Sequence, residues 1–211
     1  MKVTIYVEGG SKGHKAAMIN CRKGFTLFFA RMLPGNNKVA VEPRCGRAET
    51  YRDFCTSLKN AEKGHVSLLL VDSEEAVKPN VAPWEHLRDR QGDGWKKPAS
   101  ARENDVHLMV QSVESWFLAD PAQLGVYYGK GFKAEKLPKP VNGDVECHDK
   151  QKVMKGLNTA VKETVHKHYE KSHGFDIVGG IDPAQVCKVS VHARHLKTRL
   201  LELLGDRSHG A

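Results

Sequence analysis

Residues 66–71, Val-Ser-Leu-Leu-Leu-Val, form a continuously apolar short run and are followed directly by Asp72-Ser73-Glu74. A run of this length and composition predicts a β-strand that is covered on both faces, as the inner strands of a parallel sheet are. The polar residues that follow mark the end of the strand. The stretch therefore predicts a buried sheet and places Asp72 and Glu74 at its carboxyl edge.

The segments before this strand alternate between strand and helix patterns. Residues 2–7 are rich in β-branched residues and stop at Glu8-Gly9-Gly10, and residues 38–41 form a second short strand. Between the strands, apolar residues recur at steps of three and four, which predicts two amphipathic helices. Alternation of strand and helix across short turns is typical of a parallel sheet with right-handed crossovers.

The rest of the chain adds an insertion, another strand and a helical region. Residues 75–105 contain three prolines and two tryptophans, which indicates a long ordered insertion. Residues 106–110 restore a strand pattern. We therefore predict an α/β core over residues 1–130, with a mostly parallel sheet of about four strands and helices on both faces. A helical C-terminal extension over residues 131–211 is predicted to pack on that core.

The composition is that of an ordinary globular protein, with 40% hydrophobic and 27% charged residues among 211. No segment approaches the roughly 20 apolar residues that a membrane span needs. The first residues run into a strand pattern and do not resemble a signal peptide, which predicts a cytoplasmic protein. The five cysteines include no C-x-x-C pair, so we expect structural thiols and neither disulfides nor a zinc site.

The net charge of +8 is compatible with a polyanionic partner such as DNA or RNA. The alternative is a solvated basic surface. A late basic cluster illustrates both interpretations, because it could bind a nucleic-acid backbone or simply face water on a helix. The cluster consists of His166, Lys167, His168, Lys171 and His173.

Carboxylates follow three of the predicted strands. Glu8 follows the first strand, Asp72 and Glu74 follow the buried one, and Glu114 lies just after residues 106–110. The carboxyl ends of parallel strands form the edge at which α/β sheets build their sites. Residues two apart in an extended segment point the same way, so Asp72 and Glu74 are predicted to present oxygens to one side.

Crowded carboxylates repel, and a hard cation relieves the repulsion. Mg²⁺ or Mn²⁺ prefers oxygen ligands, so we predict a divalent-metal site formed by Glu8, Asp72, Glu74 and Glu114. Acids at strand ends are also common N-caps of the helices that follow, which is the structural alternative.

Other residues near the predicted edge are candidates for binding or catalysis. Gly9, Gly10 and Lys12 could hold a phosphate at a helix start, although the spacing is not that of a P-loop. Arg47 follows Gly46 and could neutralise a transition-state oxygen. His107 lies inside a strand among apolar neighbours, where a catalytic role competes with that of a core histidine.

The tryptophans of the insertion are candidates for stacking on bases. Trp84 and Trp95 lie in this polar, proline-containing segment. Trp116 stands beside Phe117 and is instead predicted to lie in the core.

The glycine turn Val7-Glu8-Gly9-Gly10, combined with a D-x-[DE] pair at the end of a buried third strand, is similar to the Toprim superfamily. The longer strings LLLVDSE, PWEHL and HLMVQSVESWFLAD resemble an uncharacterised prokaryotic family of small Toprim-like proteins, a domain of unknown function sometimes encoded beside an ATPase. The resemblance covers residues 3–130 by motif.

In Toprim proteins such acids bind Mg²⁺ and serve phosphodiester chemistry. The resemblance implies that Glu8 is a proton carrier and ligand and that Asp72 is a metal ligand. Glu74 stands where the motif usually has Asp, which lengthens the arm by one methylene. Glu114 resembles the extra acid of the nuclease-type members.

These resemblances imply a metal-dependent nuclease, as an effector of an anti-phage system with a partner ATPase. The alternative is a non-catalytic docking or sensor module of an ATPase complex. A haloacid-type phosphotransferase ranks last, because its D-x-D/T nucleophile loop follows the first strand, where Glu8-Gly9-Gly10 stands here.

Overall fold

A four-stranded parallel sheet forms the centre of the α/β fold, in the strand order β2-β1-β3-β4. The computed structural model describes residues 1–9 and 15–205. The strands are β1 (Lys2–Glu8), β2 (Ala40–Arg44), β3 (His65–Asp72) and β4 (Val106–Met109). The predicted fold class is confirmed, and the buried run at residues 66–71 lies in β3, an inner strand.

Helices follow or connect the strands in the order that the sequence predicts. The helices of the core are α1 (Lys15–Met32), α2 (Arg47–Lys59), α3 (Pro83–Asp89) and α4 (Glu114–Phe117). Those after β4 continue with α5 (Pro121–Tyr128), α6 (Lys150–Val161), α7 (Lys171–Gly180), α8 (Pro183–Val189) and α9 (Val191–Leu204). None of the helices in the described parts of the chain is long and apolar enough to cross a membrane.

Both faces of the sheet are covered, and the apolar residues of β3 pack on both of them. Leu68 and Leu70 belong to one hydrophobic core with α1 and the C-terminal helices. Leu69 and Val71 belong to a second core on the opposite face, with α2 and the insertion. Apolar residues on both sides of residue 130 share the first core, so the C-terminal part buries its apolar faces against the sheet and α1.

Two glycines allow α7 to lie directly against α1. A Cβ atom on Gly24 would stand 2.1 Å from the carbonyl oxygen of Phe175, and one on Gly179 would stand 3.2 Å from the Cα of Gly24. Backbones this close leave no room for a side chain. This contact fixes the beginning of α7 over the carboxyl edge of the sheet.

The Arg31 guanidinium also ties the end of α7 to α1. It donates hydrogen bonds to the carbonyl oxygens of Gly179, Gly180 and Ile181, at 2.6–2.9 Å. A cation at this position satisfies carbonyl groups that a helix end leaves free and interacts favourably with the helix dipole.

Replacing Arg31 with Ala is therefore expected to lower the free energy of unfolding by about 1–2 kcal/mol. Arg31→Lys should recover only part of the loss, since a single ammonium group cannot reproduce the guanidinium fork. Chemical denaturation measures both. Lys23→Ala, an exposed change on the same helix, is the control and should stay within about 0.5 kcal/mol of the wild type.

Candidate functional site

A cavity of about 550 Å³ opens at the carboxyl edge of the sheet. The predicted acids all line it, namely Glu8, Asp72, Glu74 and Glu114. Its other walls come from α1, from α7 and from the segment before α7. The sequence prediction that these acids converge at one edge thus agrees with the structure.

The end of β3 has a tighter geometry than an extended strand. The Ser73 amide donates to the Met109 carbonyl at 2.8 Å, and the Glu74 amide donates to the Gln111 carbonyl at 3.0 Å. Glu74 and Gln111 both adopt a φ of 63°. Glu74 therefore reaches the cavity through a left-handed turn, and not through the extended alternation that the sequence pattern predicts.

Asp72 joins the end of β3 to the segment that follows β4. Its Oδ1 accepts a hydrogen bond from the Val113 amide at 2.9 Å. The acid thus satisfies an amide just before α4, a helix that follows a different strand. The Asp72 side chain therefore both caps the start of α4 and lines the cavity.

The carboxylates influence one another electrostatically. Burial, followed by the charges of Glu114, Glu8 and Glu74, raises the pKa of Asp72 well above its ordinary value of 3.8. Burial also raises the pKa of Glu8, against the opposing charge of Arg47. The site therefore concentrates negative charge in a poorly solvated place and favours a compensating cation.

Lys150 supplies one such cation and was not predicted from the sequence. Its Nζ lies 2.7 Å from Oε2 of Glu74. Burial disfavours the charged ammonium, but the hydrogen bond and charge of Glu74, with the charges of Asp72 and Glu114, outweigh it and raise the pKa of Lys150. Lys150 is the first residue of α6. The sequence signal next to it is Asp149, which caps the helix and does not indicate a site.

Tyr169 is a second residue that sequence reasoning missed. Its hydroxyl donates to Oε1 of Glu114 at 2.9 Å, and Glu114 is only 5% exposed. Burial and the charge of Glu114 raise the pKa of Tyr169, so the phenol stays protonated and remains a donor. The pair holds the carboxylate of Glu114 at the wall of the cavity.

The ligand chemistry of the cavity suits a divalent cation, whereas the arrangement of the described side chains does not form a site for one. Four carboxylates line one cavity, and Asp72 is destabilised in its charged form by the other three. Within residues 1–9 and 15–205, no three His, Cys, Asp or Glu side chains are already gathered closely enough to hold a metal ion. Instead Glu8, Glu74 and Glu114 contact Arg47, Lys150 and Tyr169 respectively.

Arg47 lies beside the cavity and mainly binds Asp93, a residue of the insertion. Its Nε and Nη2 bind both carboxylate oxygens of Asp93, at 3.0 and 2.6 Å. Nη1 donates to the Asp72 carbonyl at 2.5 Å and lies 3.5 Å from Glu8. The guanidinium also lies 5.0 Å from the ring centroid of Trp95. Arg47 does not line the cavity, and its donors are committed to the protein.

His107 is a buried residue of β4 that does not line the cavity. Burial, with the charge of Arg199, lowers the pKa of its imidazole to about 3, against a backbone hydrogen bond at Asn104. Within the described residues its Nε2 has no hydrogen-bond partner. The structure therefore gives no support to the catalytic role predicted for His107, and we do not retain it.

The predicted phosphate-binding turn is only partly described. Gly10 and Lys12 lie outside the described residues. The Gly9 amide donates to the Arg44 carbonyl at 3.0 Å, so it is not free to bind a phosphate as predicted. A Cβ on Gly9 would stand 2.1 Å from Sγ of Cys21, which accounts for glycine here by close packing of β1 against α1.

The two tryptophans of the insertion and the late basic cluster do not have the surroundings that the sequence predicts. Trp84 and Trp95 are 5% and 7% exposed and belong to the second hydrophobic core, so the prediction that they stack on bases is wrong. The basic cluster at residues 166–173 is not on one helix, because α7 begins only at Lys171. Lys171 lines the cavity, together with Ser172.

Comparison with known proteins places the chain in a family. No curated protein and no solved structure matches it. A family model described as a domain of unknown function, DUF4276, matches residues 12–201. The match includes three of the four acids of the cavity, together with Lys150 and Tyr169. The chain therefore belongs to the DUF4276 family, a domain of unknown function.

Proposed function

We propose that the protein is a Toprim-like nuclease that hydrolyses nucleic-acid phosphodiesters with the help of a divalent metal. The observation that carries the proposal is the convergence of Glu8, Asp72, Glu74 and Glu114 in one cavity at the carboxyl edge of a parallel sheet. Sites of α/β sheets form at this edge. The net charge of +8 supports a polyanionic substrate.

Asp72, Glu74 and Glu114 are the residues that we assign to metal binding, with Glu8 as a further ligand or proton carrier. A divalent metal held by these residues would supply an activated water and charge stabilisation at phosphorus. Lys150 contributes a positive charge on the cavity wall that suits a phosphate oxygen. Tyr169 keeps Glu114 oriented, and Asp72 is held in place by the Val113 amide.

Cleavage assays on plasmid DNA, single-stranded DNA and total tRNA test this assignment. We expect cleavage that requires Mg²⁺ or Mn²⁺ and falls at least about 10-fold in Glu74→Gln and in Glu114→Gln, since each change removes an anionic oxygen donor. Glu62→Gln is the matched control, because Glu62 is exposed and precedes β3 at the opposite edge of the sheet. Unchanged cleavage in both site variants would contradict the assignment.

A partner ATPase belongs to the same proposal, as a component that activates the nuclease in an anti-phage system. The second candidate is a docking or sensor module in which the acids are not catalytic. The pairing of Glu8, Glu74 and Glu114 with protein donors favours it. This second candidate would be selected if the protein bound metal but cleaved no nucleic acid, both alone and together with a partner ATPase.

A further inference from the structure

The size of the cavity limits what can reach the acids. Its volume of about 550 Å³ falls within the range of pockets that enclose a single drug-sized molecule. Its walls come from two sides, with Asn20 on α1 and Phe175 on α7. One or two nucleotides match this volume, whereas a base-paired segment carries its second strand with it and does not.

The acids line a cavity that is partly open to solvent, and none of the three with a stated exposure is fully exposed. Glu114 is 5% exposed, and the side chains of Glu8 and Glu74 are 25% and 24% exposed. A phosphodiester must therefore enter the cavity to meet them. An unpaired strand has the freedom to do so, because its nucleotides can be separated from their neighbours.

Beside the cavity lies a group of rings that we call the aromatic cluster, formed by Tyr127, Tyr128, His166 and His173. The ring centroids of Tyr127 and His166 lie 5.9 Å apart with planes inclined by only 19°. His173 lies 4.9 Å from His166 and 5.8 Å from Tyr127. Tyr127 and His166 are each partly exposed, so rings of the cluster reach the surface.

The aromatic cluster contacts the wall of the cavity through His173. His173 stands between Ser172 and Gly174, which both line the cavity. Its ring centroid also lies 6.2 Å from that of Tyr169, another lining residue. The cluster therefore adjoins the cavity at the start of α7.

The surface around the aromatic cluster has the character of a binding face. Val126 and Val165, the chain neighbours of Tyr127 and His166, are 75% and 86% exposed. Lys130 and Lys167 are exposed and close in sequence to these rings. Carboxylates lie there as well, since burial, followed by the charge of Asp176, raises the pKa of Tyr127. Faces that combine aromatic rings with cations are typical of proteins that bind single-stranded nucleic acid.

We infer that the site takes an unpaired nucleic-acid strand, whose phosphodiester enters the cavity while a neighbouring base stacks on Tyr127 and His166. The inference rests on the proposed function for the identity of the substrate as nucleic acid. It adds the structural class of that substrate and a binding surface on α5 and the segment before α7.

Fluorescence anisotropy with two labelled probes tests the inference. The probes are a 20-nucleotide oligothymidylate and a blunt DNA hairpin of equal charge, and the protein is Asp72→Asn in chelator, which prevents cleavage. We expect the single strand to bind at least about 10-fold more tightly than the hairpin. Tyr127→Ala in that background should weaken single-strand binding by about 5- to 100-fold, as loss of one stacked base predicts.

Tyr127→Phe is the matched control, since it keeps the ring, and it should retain single-strand affinity. Equal affinity for both probes, no binding of either, or full affinity in Tyr127→Ala would overturn the inference. Cleavage by the wild type is scored separately. Cutting within the hairpin stem would leave the nuclease assignment standing and overturn the unpaired-strand site. Tight single-strand binding without any cleavage would leave the unpaired-strand site standing and overturn the nuclease assignment.

Discussion

Replacing Asp72 with Asn is expected to abolish cleavage while making the metal-free protein more stable. Cleavage should fall by at least about 100-fold, because the variant loses the central carboxylate of the site. The free energy of unfolding at pH 7 should rise by on the order of 1 kcal/mol, because the variant lacks a carboxyl group whose ionisation is disfavoured in the folded protein by burial and by three acidic neighbours. Asparagine retains an oxygen that accepts from the Val113 amide, so the local fold is preserved.

The pH dependence follows from the direction of the pKa shift. The pKa of Asp72 is higher in the folded protein than its ordinary value of 3.8, so folding favours the protonated form. The stability that Asp72 contributes is therefore fully present below pH 3.8 and is lost as the pH rises through the folded pKa. Asp72→Asn should lack this loss, and urea denaturation in chelator at a series of pH values measures the difference.

The opposite pattern would contradict the description of the site. If Asp72→Asn were less stable than the wild type at pH 7 in chelator, the carboxylate would be a stabilising structural group. Glu62→Gln, made in parallel, shows how much any exposed acid contributes. That control should change neither cleavage nor the slope of stability against pH.

Replacing Gly24 with Ala is expected to destabilise the protein by about 1–3 kcal/mol, because the new methyl group overpacks a filled contact. The added carbon would stand 2.1 Å from the Phe175 carbonyl oxygen, so α1 and α7 must move apart. Movement of α7 would displace Lys171 and Ser172 at the cavity wall and the nearby Tyr169. Cleavage should therefore fall together with the melting temperature.

Gly125→Ala provides the matched control within another helix. A Cβ at Gly125 would meet only ring carbons of Phe132, at 3.5 and 3.9 Å, which are ordinary contacts. Because alanine favours helix over glycine, this change should stabilise the protein by up to about 1 kcal/mol. Thermal unfolding of the two variants should thus shift in opposite directions, and equal shifts would show that the α1–α7 contact is not tight.

The sheet and the acids at its edge could be predicted because local patterns determine them. The apolar run at residues 66–71 fixes a buried strand, and the acid that follows such a strand must lie at the carboxyl edge. Glu8, Asp72, Glu74 and Glu114 all meet this condition. Their convergence needed no knowledge of the C-terminal helices.

The other half of the cavity could not be predicted, because it depends on a long-range contact. Lys150 and Tyr169 reach the acids from α6 and from the segment before α7, through contacts between residues far apart in the sequence. In the sequence neither residue belongs to a motif that marks a site. The left-handed turn at Glu74 was missed for a similar reason, since its φ of 63° accompanies pairing with the segment after β4.

Calorimetric titration with Mn²⁺, comparing the wild type with Asp72→Asn, tests the metal site most directly. The account predicts a binding heat in the wild type that disappears in Asp72→Asn and persists in Glu62→Gln. Equal Mn²⁺ binding by the wild type and Asp72→Asn, or no binding by the wild type, would contradict it and leave the four acids without a metal to hold.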